Sequence, residues 1–393
     1  MATTDTTNAP IWQRPLGLAL AFVLGAALTA ALMAAFPKAS GEAPAGAGTL
    51  QQETPATTDS VESADPAVAF PSWQASSDSL AELVAFVQDV CDLASPNYLE
   101  PEERVATFDM DGTLISEKAP YYLDYMVLLH RVLDDPAYEA DAADIESCET
   151  IRSFVERGEN PDMSSERRRM TASVFAGMTP EDFRAYVDEF LDATEVRGFE
   201  GMTYGETFYL PMREMVAYLR AKDFDVWVVS GCQREITRAV AARLGIAPDR
   251  VIGTDIEYAT SGQGDQDPTD FNMGQDEDVV QSVPLLQKCE KAVKPLAIAR
   301  EIGRRPVLAF GNSSGDYSML NYAEASGGMG LIVVCDDTER EYGSAEKAAE
   351  VIEEAKSQGW TTFSMRDDWA TIYGEGVVKT ERVNDEVELA EAA

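Results

Sequence analysis

Apolar positions follow three rhythms along the chain, and each predicts a different element. The first is an unbroken run: Leu16 to Phe36 is 21 residues without a charge, rich in Ala and Leu. At about 1.5 Å rise per residue such a run spans about 30 Å, the hydrocarbon thickness of a bilayer. It has no polar face, so it predicts a single N-terminal transmembrane helix rather than a core helix. Arg14 and Lys38 flank it with little asymmetry, and Ala39-Ser40-Gly41 is a mediocre cleavage site. The expectation is an uncleaved anchor with the catalytic domain outside the cytoplasm, or a secreted protein if the segment is cut. Pro37 to about Ser72, rich in Ala, Gly, Pro, Ser and Thr, predicts a flexible tether.

A helical rhythm follows. Leu80, Leu83, Val84, Phe86, Val87 and Val90 share one face of a helix over Ser79–Leu93. After a short strand at Val105–Phe108, helical spacing predicts Tyr121–Leu133, Ala140–Glu156, Ser165–Phe175 and Pro180–Ala193. The last is the best marked: Thr179 suits the N-cap, Pro180 the first turn, and Glu181 and Asp182 the helix dipole.

Strands and helices then alternate. Helices are expected at Met212–Ala221, Arg234–Leu244, Pro295–Ile302 and Ala345–Gln358. Strands are expected at Asp225–Val229, Arg250–Ile256, Val307–Phe310, Leu331–Val334 and Thr361–Met365. Asp265–Asp278, acidic and punctuated by Gly and Pro, reads as a loop or hairpin excursion. Repeated strand–helix units imply an α/β fold with a Rossmann-like, mainly parallel sheet. The expected organisation is a flank at 1–14, an anchor or signal segment at 15–36 and a disordered linker at 37–75. A core at 76–116 and 208–373 is interrupted by a helical cap at 117–207, and a disordered acidic tail occupies 374–393.

Composition narrows the function. Asp and Glu number 69 against 31 Lys and Arg, a formal charge of −38. Nucleic acid and anionic lipid both require a basic patch and are poor partners for such a chain. A small phosphorylated metabolite needs only a local positive site. The chain has one histidine, His130, so neither a histidine nucleophile nor a cage of several histidines is available. Its setting in an apolar helix predicts a packed or surface residue. Cys91, Cys148, Cys232, Cys289 and Cys335 show no metal-ligand spacing.

The chemistry concentrates at V-A-T-F-D-M-D-G-T-L, Val105 to Leu114. Two carboxylates, Asp109 and Asp111, leave the tip of a buried strand, where open α/β sheets bind ligands. Gly112 lets the chain turn sharply there. Clustered carboxylates repel one another, so a cation belongs between them, most simply Mg²⁺. This stretch resembles the first motif of the haloacid dehalogenase-like hydrolases, and in particular the phosphoserine phosphatase-like branch. The dehalogenases themselves lack the second acid, so Asp111 favours phosphoryl chemistry.

The resemblance covers about Asp78 to Tyr373 and implies roles for further residues. Asp109 would be the nucleophile and Asp111 the general acid and base. Ser230 and Gly231, after the V-W-V-V strand, resemble the second motif and would hold a phosphate oxygen. Of Lys288, Lys291 and Lys294, the last best matches the lysine that neutralises charge beside the nucleophile, with Lys291 next. A-F-G-N-S-S-G-D-Y-S-M-L, Ala309 to Leu320, resembles the motif that completes the metal site, with Asp109, Asp111, Asn312 and Asp316 as metal ligands. Asn312 departs from the commoner Asp, which removes one charge from the cage. G-N-S-x-G-D and the closing G-W-T-T-F-S-M-R-D-D-W resemble a bacterial branch of the same family.

Glu117, just past the first motif, stands where phosphoserine phosphatase-like members meet their substrate, and equally reads as an exposed hinge residue. Arg167, Arg168 and Arg169 lie on a cap helix, from which one could reach a substrate anion. The expected activity is Mg²⁺-dependent phosphomonoester hydrolysis through an aspartyl-phosphate. Asn312 and Cys232 also suit a non-catalytic binding module, and the same residues would serve phosphoryl transfer to another acceptor. Neither substrate identity nor oligomeric state follows from the sequence.

Overall fold

The computed structural model describes residues 70–381, apart from 158 and 161. The flank, the segment 15–36 and most of the linker therefore lie outside the described residues. Among the described residues no helix is long and apolar enough to cross a membrane.

The chain enters at Phe70 and Trp73, both buried, and runs into helix α1, Asp78–Cys91. The linker expected up to residue 75 thus ends earlier. Trp73 packs edge-on against Phe363 and Trp369 and donates its indole N–H to the Pro211 carbonyl at 3.1 Å. Two aromatic residues of this size are buried more favourably than left in a solvated tether. Gln74 N–H donates to the Asp368 carbonyl, and Ala370 N–H to that of Ser72, both at 2.8 Å.

Strand β1, Val105–Phe108, is buried on both faces. Four helices follow before the sheet resumes: α2 (Leu123–Leu129), α3 (Ala142–Val155), α4 (Ser164–Ser173) and α5 (Pro180–Ala193). α2 is shorter than its apolar run, because His130–Asp134 widens into a π-helical turn. In α5 the Thr179 hydroxyl accepts from Asp182 N–H at 3.0 Å, and Phe183, Val187, Phe190 and Leu191 form the buried stripe.

After the two-residue strand β2, Phe199–Glu200, come α6 (Leu210–Ala221), β3 (Asp225–Gln233), α7 (Arg234–Ala242) and β4 (Val251–Thr254). A hairpin, β5 (Ile256–Thr260) and β6 (Val279–Leu285), then leaves the sheet. The single strand expected at Arg250–Ile256 is thus broken at Asp255. That carboxylate turns out to meet Arg234 at 2.6 Å, and the chain beyond it pairs with β6 instead. The remaining elements are α8 (Val293–Glu301), β7 (Leu308–Gly311), α9 (Tyr317–Glu324), β8 (Met329–Val334), α10 (Ala345–Gln358), β9 (Thr361–Ser364) and β10 (Val378–Lys379). The tail expected to be without structure after Gly374 contributes β10, which pairs antiparallel with β2. Tyr342 fixes this crossing, its hydroxyl bonding the carbonyls of Gly198 and Thr380 at 2.6 Å each. Residues 382–393 lie outside the described residues.

The main sheet has six parallel strands in the order β4-β3-β1-β7-β8-β9. Alternate residues feed two separate apolar layers, as the pleat requires. Phe108, Val228, Phe310 and Val333 join one layer; Val105, Trp227, Val229, Ala309 and Ile332 join the other. Across the β1–β7 pair, Phe108 and Phe310 stack with ring centroids 4.1 Å apart. From β1 the chain builds outward to β3 and β4, then crosses to build β7, β8 and β9 on the other side. The order reverses between β1 and β7, and the crevice beyond their carboxyl ends is where such a sheet takes its ligand.

Candidate active site

Asp109, Asp111, Lys294 and Asp316 meet in that crevice. Asp109 follows β1 directly, and its N–H donates to the Phe310 carbonyl on β7 at 2.9 Å. Lys294 reaches in from the first turn of α8, 1 % exposed. Its ammonium donates to Asp109 Oδ1 and to Asp316 Oδ1, 2.6 Å each. Asp316 precedes α9, and its other oxygen accepts from the N–H groups of Asn312 and Ser313 at 3.0 and 3.1 Å. Gly311 permits this: a Cβ there would sit 2.3 Å from Asp316 Cβ.

Asp111 has no lysine of its own. Its Oδ1 faces the N–H of Leu123, the first residue of α2, at 3.5 Å. Burial, then the charges of Asp109, Asp124 and Glu117, hold its carboxyl well above the usual range. Burial and the facing Asp316 push Asp109 up to about 7, against the opposing pull of Lys294. Burial alone would lower the Lys294 ammonium, but its two carboxylate partners outweigh that and hold it above the usual lysine value.

The second motif is more buried than a simple turn. β3 continues past Val229 to Gln233, with a register shift against β4 over that stretch. Ser230 is fully buried, its hydroxyl accepting from Cys232 N–H at 3.0 Å. Gly231 and Cys232 line the cavity instead. Thr254 braces this loop by donating its hydroxyl to the Gly231 carbonyl at 2.7 Å. Burial, with Asp124 and Asp111 nearby, pushes the Cys232 thiol well above its ordinary value, so it is a packed residue and not a thiolate nucleophile. All five cysteines are free thiols.

The cavity has a volume of about 340 Å³. Asp109, Asp111, Lys294, Asn312 and Asp316 line its floor, and Tyr121, Tyr122, Asp124, Tyr125 and Arg167 line its cap side. Glu117 joins them, its Oε2 accepting from the Asn312 amide nitrogen at 3.0 Å and its Oε1 meeting Lys118 at 2.6 Å. A neighbouring cavity of about 560 Å³ shares Glu117, Asn312 and Ser313 with it. Gly112, at φ +76°, makes room for the Glu117–Asn312 contact, since a Cβ would lie 1.9 Å from Asn312 Nδ2.

Of the three cap arginines, only Arg167 reaches the cavity, bonded to Asp124 at 2.6 Å. Arg168 donates to the Leu286 carbonyl at 3.2 Å, and Arg169 pairs with Asp144. Lys288 lines the cavity and pairs with Glu290, whereas Lys291 is absent from its wall. Sequence reasoning missed Asp124 and the three tyrosines. An acid inside the apolar run Tyr121–Leu133 was the available signal, because an acid there must face either solvent or a cation. His130 packs on Phe190, ring centroids 5.1 Å apart, away from this centre.

The donor set suits a hard divalent cation. Asp109, Asp111 and Asp316 are oxygen donors, and the first two are pushed up partly by neighbouring carboxylates, a strain that a cation relieves. Asn312 engages Glu117 through its nitrogen, which leaves its amide oxygen as a donor. Among the described residues no three His, Cys, Asp or Glu side chains converge on one metal-sized point. That is compatible with Mg²⁺, which keeps several waters and takes one or two carboxylates.

A family model, haloacid dehalogenase-like hydrolase, matches residues 106–321. No curated protein matches the chain. Solved structures that the chain resembles share little sequence with it. A protein of unknown function from Bordetella pertussis Tohama I is 16 % identical, with a TM-score of 0.41 over 66 % of this chain and 98 % of its own. A cytosolic 5'-nucleotidase IIIB bound to cytidine is 10 % identical, with a TM-score of 0.43 over 76 % of this chain and 90 % of its own. A phosphoserine phosphohydrolase-like protein from Francisella tularensis subsp. tularensis SCHU S4 is 16 % identical, with a TM-score of 0.36 over 65 % of this chain and 98 % of its own.

Proposed function

The chain belongs to the haloacid dehalogenase-like hydrolases, and from that premise we propose that it is a Mg²⁺-dependent phosphomonoesterase acting on a small phosphorylated metabolite. The observation that carries this reading is the contact between Lys294 and Asp109 in a cavity that also holds Asp111. A buried ammonium touching a carboxylate at a strand end supports a site that receives a phosphoryl dianion beside a nucleophile.

In this reading an Asp109 oxygen attacks phosphorus, and the bond from phosphorus to the leaving oxygen breaks. Asp111, whose environment favours the protonated carboxyl, donates that proton to the leaving alkoxide. The resulting Asp111 carboxylate takes a proton from water, which attacks phosphorus and frees Asp109 and inorganic phosphate. Lys294 keeps Asp109 oriented and balances the charge of the phosphoryl oxygens. The N–H of Gly231, on the cavity wall, is a donor for one of those oxygens. Ser230 supports this loop from behind through Cys232. Mg²⁺ would sit among Asp109, Asp111, Asn312 and Asp316, held directly by one or two of the carboxylates and through water by the rest, and when bound it supplies neutralising charge. Cap helices α2 and α4 exclude water from the reacting groups.

Asp109→Asn should abolish phosphate release from p-nitrophenyl phosphate while the unfolding midpoint is kept. Wild-type turnover in that variant would overturn the proposal.

The uncharged run Leu16–Phe36 supports a second part of the reading, a catalytic domain anchored to a membrane. The full chain should then sediment with membranes, resist alkaline carbonate and be released by detergent. Release by carbonate alone would remove the anchor.

A further inference from the structure

Beyond the phosphoryl centre the cavity wall carries three more acids, and each meets a cation. Lys118 lies 2.6 Å from Glu117, Arg167 lies 2.6 Å from Asp124, and Lys288 pairs with Glu290. The Asp124–Arg167 pair is the deepest, its side chains 10 % and 8 % exposed. The tyrosine rings are engaged as well. The Arg167 guanidinium sits 4.7 Å from the Tyr125 centroid, and the Lys118 ammonium 5.7 Å from that of Tyr122. Tyr121 packs edge-on against both rings, with centroids 4.9 and 5.1 Å away.

Resting on the phosphomonoesterase reading, we propose that the leaving group is an uncharged polyhydroxylated alcohol, a sugar or polyol, recognised by this ion-paired wall. A hydroxyl both donates and accepts. It can therefore bridge a guanidinium N–H and a carboxylate lone pair without separating them. A leaving group with a net charge has no such option. It must draw one partner out of a desolvated pair or leave its own charge unmatched. A quaternary ammonium is excluded for a second reason: it needs open aromatic faces, and Arg167 and Lys118 lie over two of the three rings. Asn160 and Ser164 add an amide and a hydroxyl to the cap side of the same wall.

The test is a substrate panel with the full chain, purified in detergent with Mg²⁺. Glycerol 3-phosphate and glucose 6-phosphate are compared with 3-phosphoglycerate, phosphoethanolamine and phosphocholine. We expect kcat/KM for the neutral alcohols to exceed that for each charged leaving group by tenfold or more. An equal or reversed ranking, with p-nitrophenyl phosphate still hydrolysed in an Asp109-dependent manner, overturns the inference and spares the phosphatase reading. Absence of Asp109-dependent aryl phosphate hydrolysis removes both. Asp124→Asn leaves Arg167 without its anion. It should shift the ratio of 3-phosphoglycerate to glycerol 3-phosphate at least tenfold toward the acid. The double variant Asp124→Asn/Arg167→Gln, with a neutral wall, should return that ratio toward wild type. A ratio within twofold of wild type in Asp124→Asn counts against the inference, and the wild-type panel decides the matter if that variant does not fold.

Discussion

Asp109 and Asp111 are two residues apart and live in different electrostatic settings. Asp109 touches a lysine; Asp111 faces carboxylates and one distant N–H. The difference has a thermodynamic signature. Asp111 has a raised folded-state pKa, so its contribution to stability is complete below the unfolded value of about 3.9 and is lost as pH rises through the folded value. Asp111→Asn removes the ionisation and should raise the metal-free melting temperature at pH 8 by about 2–4 °C, equivalent to roughly 1 kcal/mol. The gain should vanish near pH 4, where both side chains are neutral. Thermal melts in chelator across that range check it, and a variant that melts lower at pH 8 contradicts it. Asp109 and Asp111 were legible in the sequence because they leave the tip of a buried strand, whereas Lys294 and Asp316 were placed only by resemblance to the family's motifs. Asp124 and its pairing with Arg167 were not legible, since the two are joined only by tertiary packing across 43 positions.

Among the elements, those with local signals matched the sequence best. α5 begins and ends where Thr179, Pro180 and its apolar stripe predict. Thr179→Ala should cost about 1 kcal/mol of stability by removing the cap bond to Asp182 N–H. Urea unfolding measures it, and no change would mean that packing alone sets the start of this helix. The β5–β6 hairpin shows the opposite case. β6 reads V-V-Q-S-V-P-L, with polar and proline interruptions that carry little strand signal. Its pairing is decided by partners far along the chain. Gln281 exchanges main-chain bonds of 2.8 Å with Gly177 and Met178, and its side chain accepts from that of Gln233 at 3.0 Å. The hairpin therefore ties the helices of the cap to the end of β3, next to the second motif.

At the scale of the molecule, a formal charge of −38 surrounds a site proposed to receive anions. Approach, unlike chemistry, is sensitive to that field. Raising ionic strength from about 10 mM to about 150 mM shortens the Debye length from about 30 Å to about 8 Å. For an anionic phosphate ester, kcat/KM should rise several-fold over that range while kcat stays level. A falling kcat/KM would mean that local cations such as Lys288 dominate the encounter.

The crossing of Ser72–Gln74 with Asp368–Ala370 has a mechanical consequence. It works as a clasp between the first and last stretches of the catalytic fold, closed by hydrogen bonds and interlocked indole rings. A pull on the chain ahead of Phe70 loads this clasp in shear before any force reaches β1. The crevice that gathers Asp109, Lys294 and Asp316 should therefore stay assembled under tension until the indoles part.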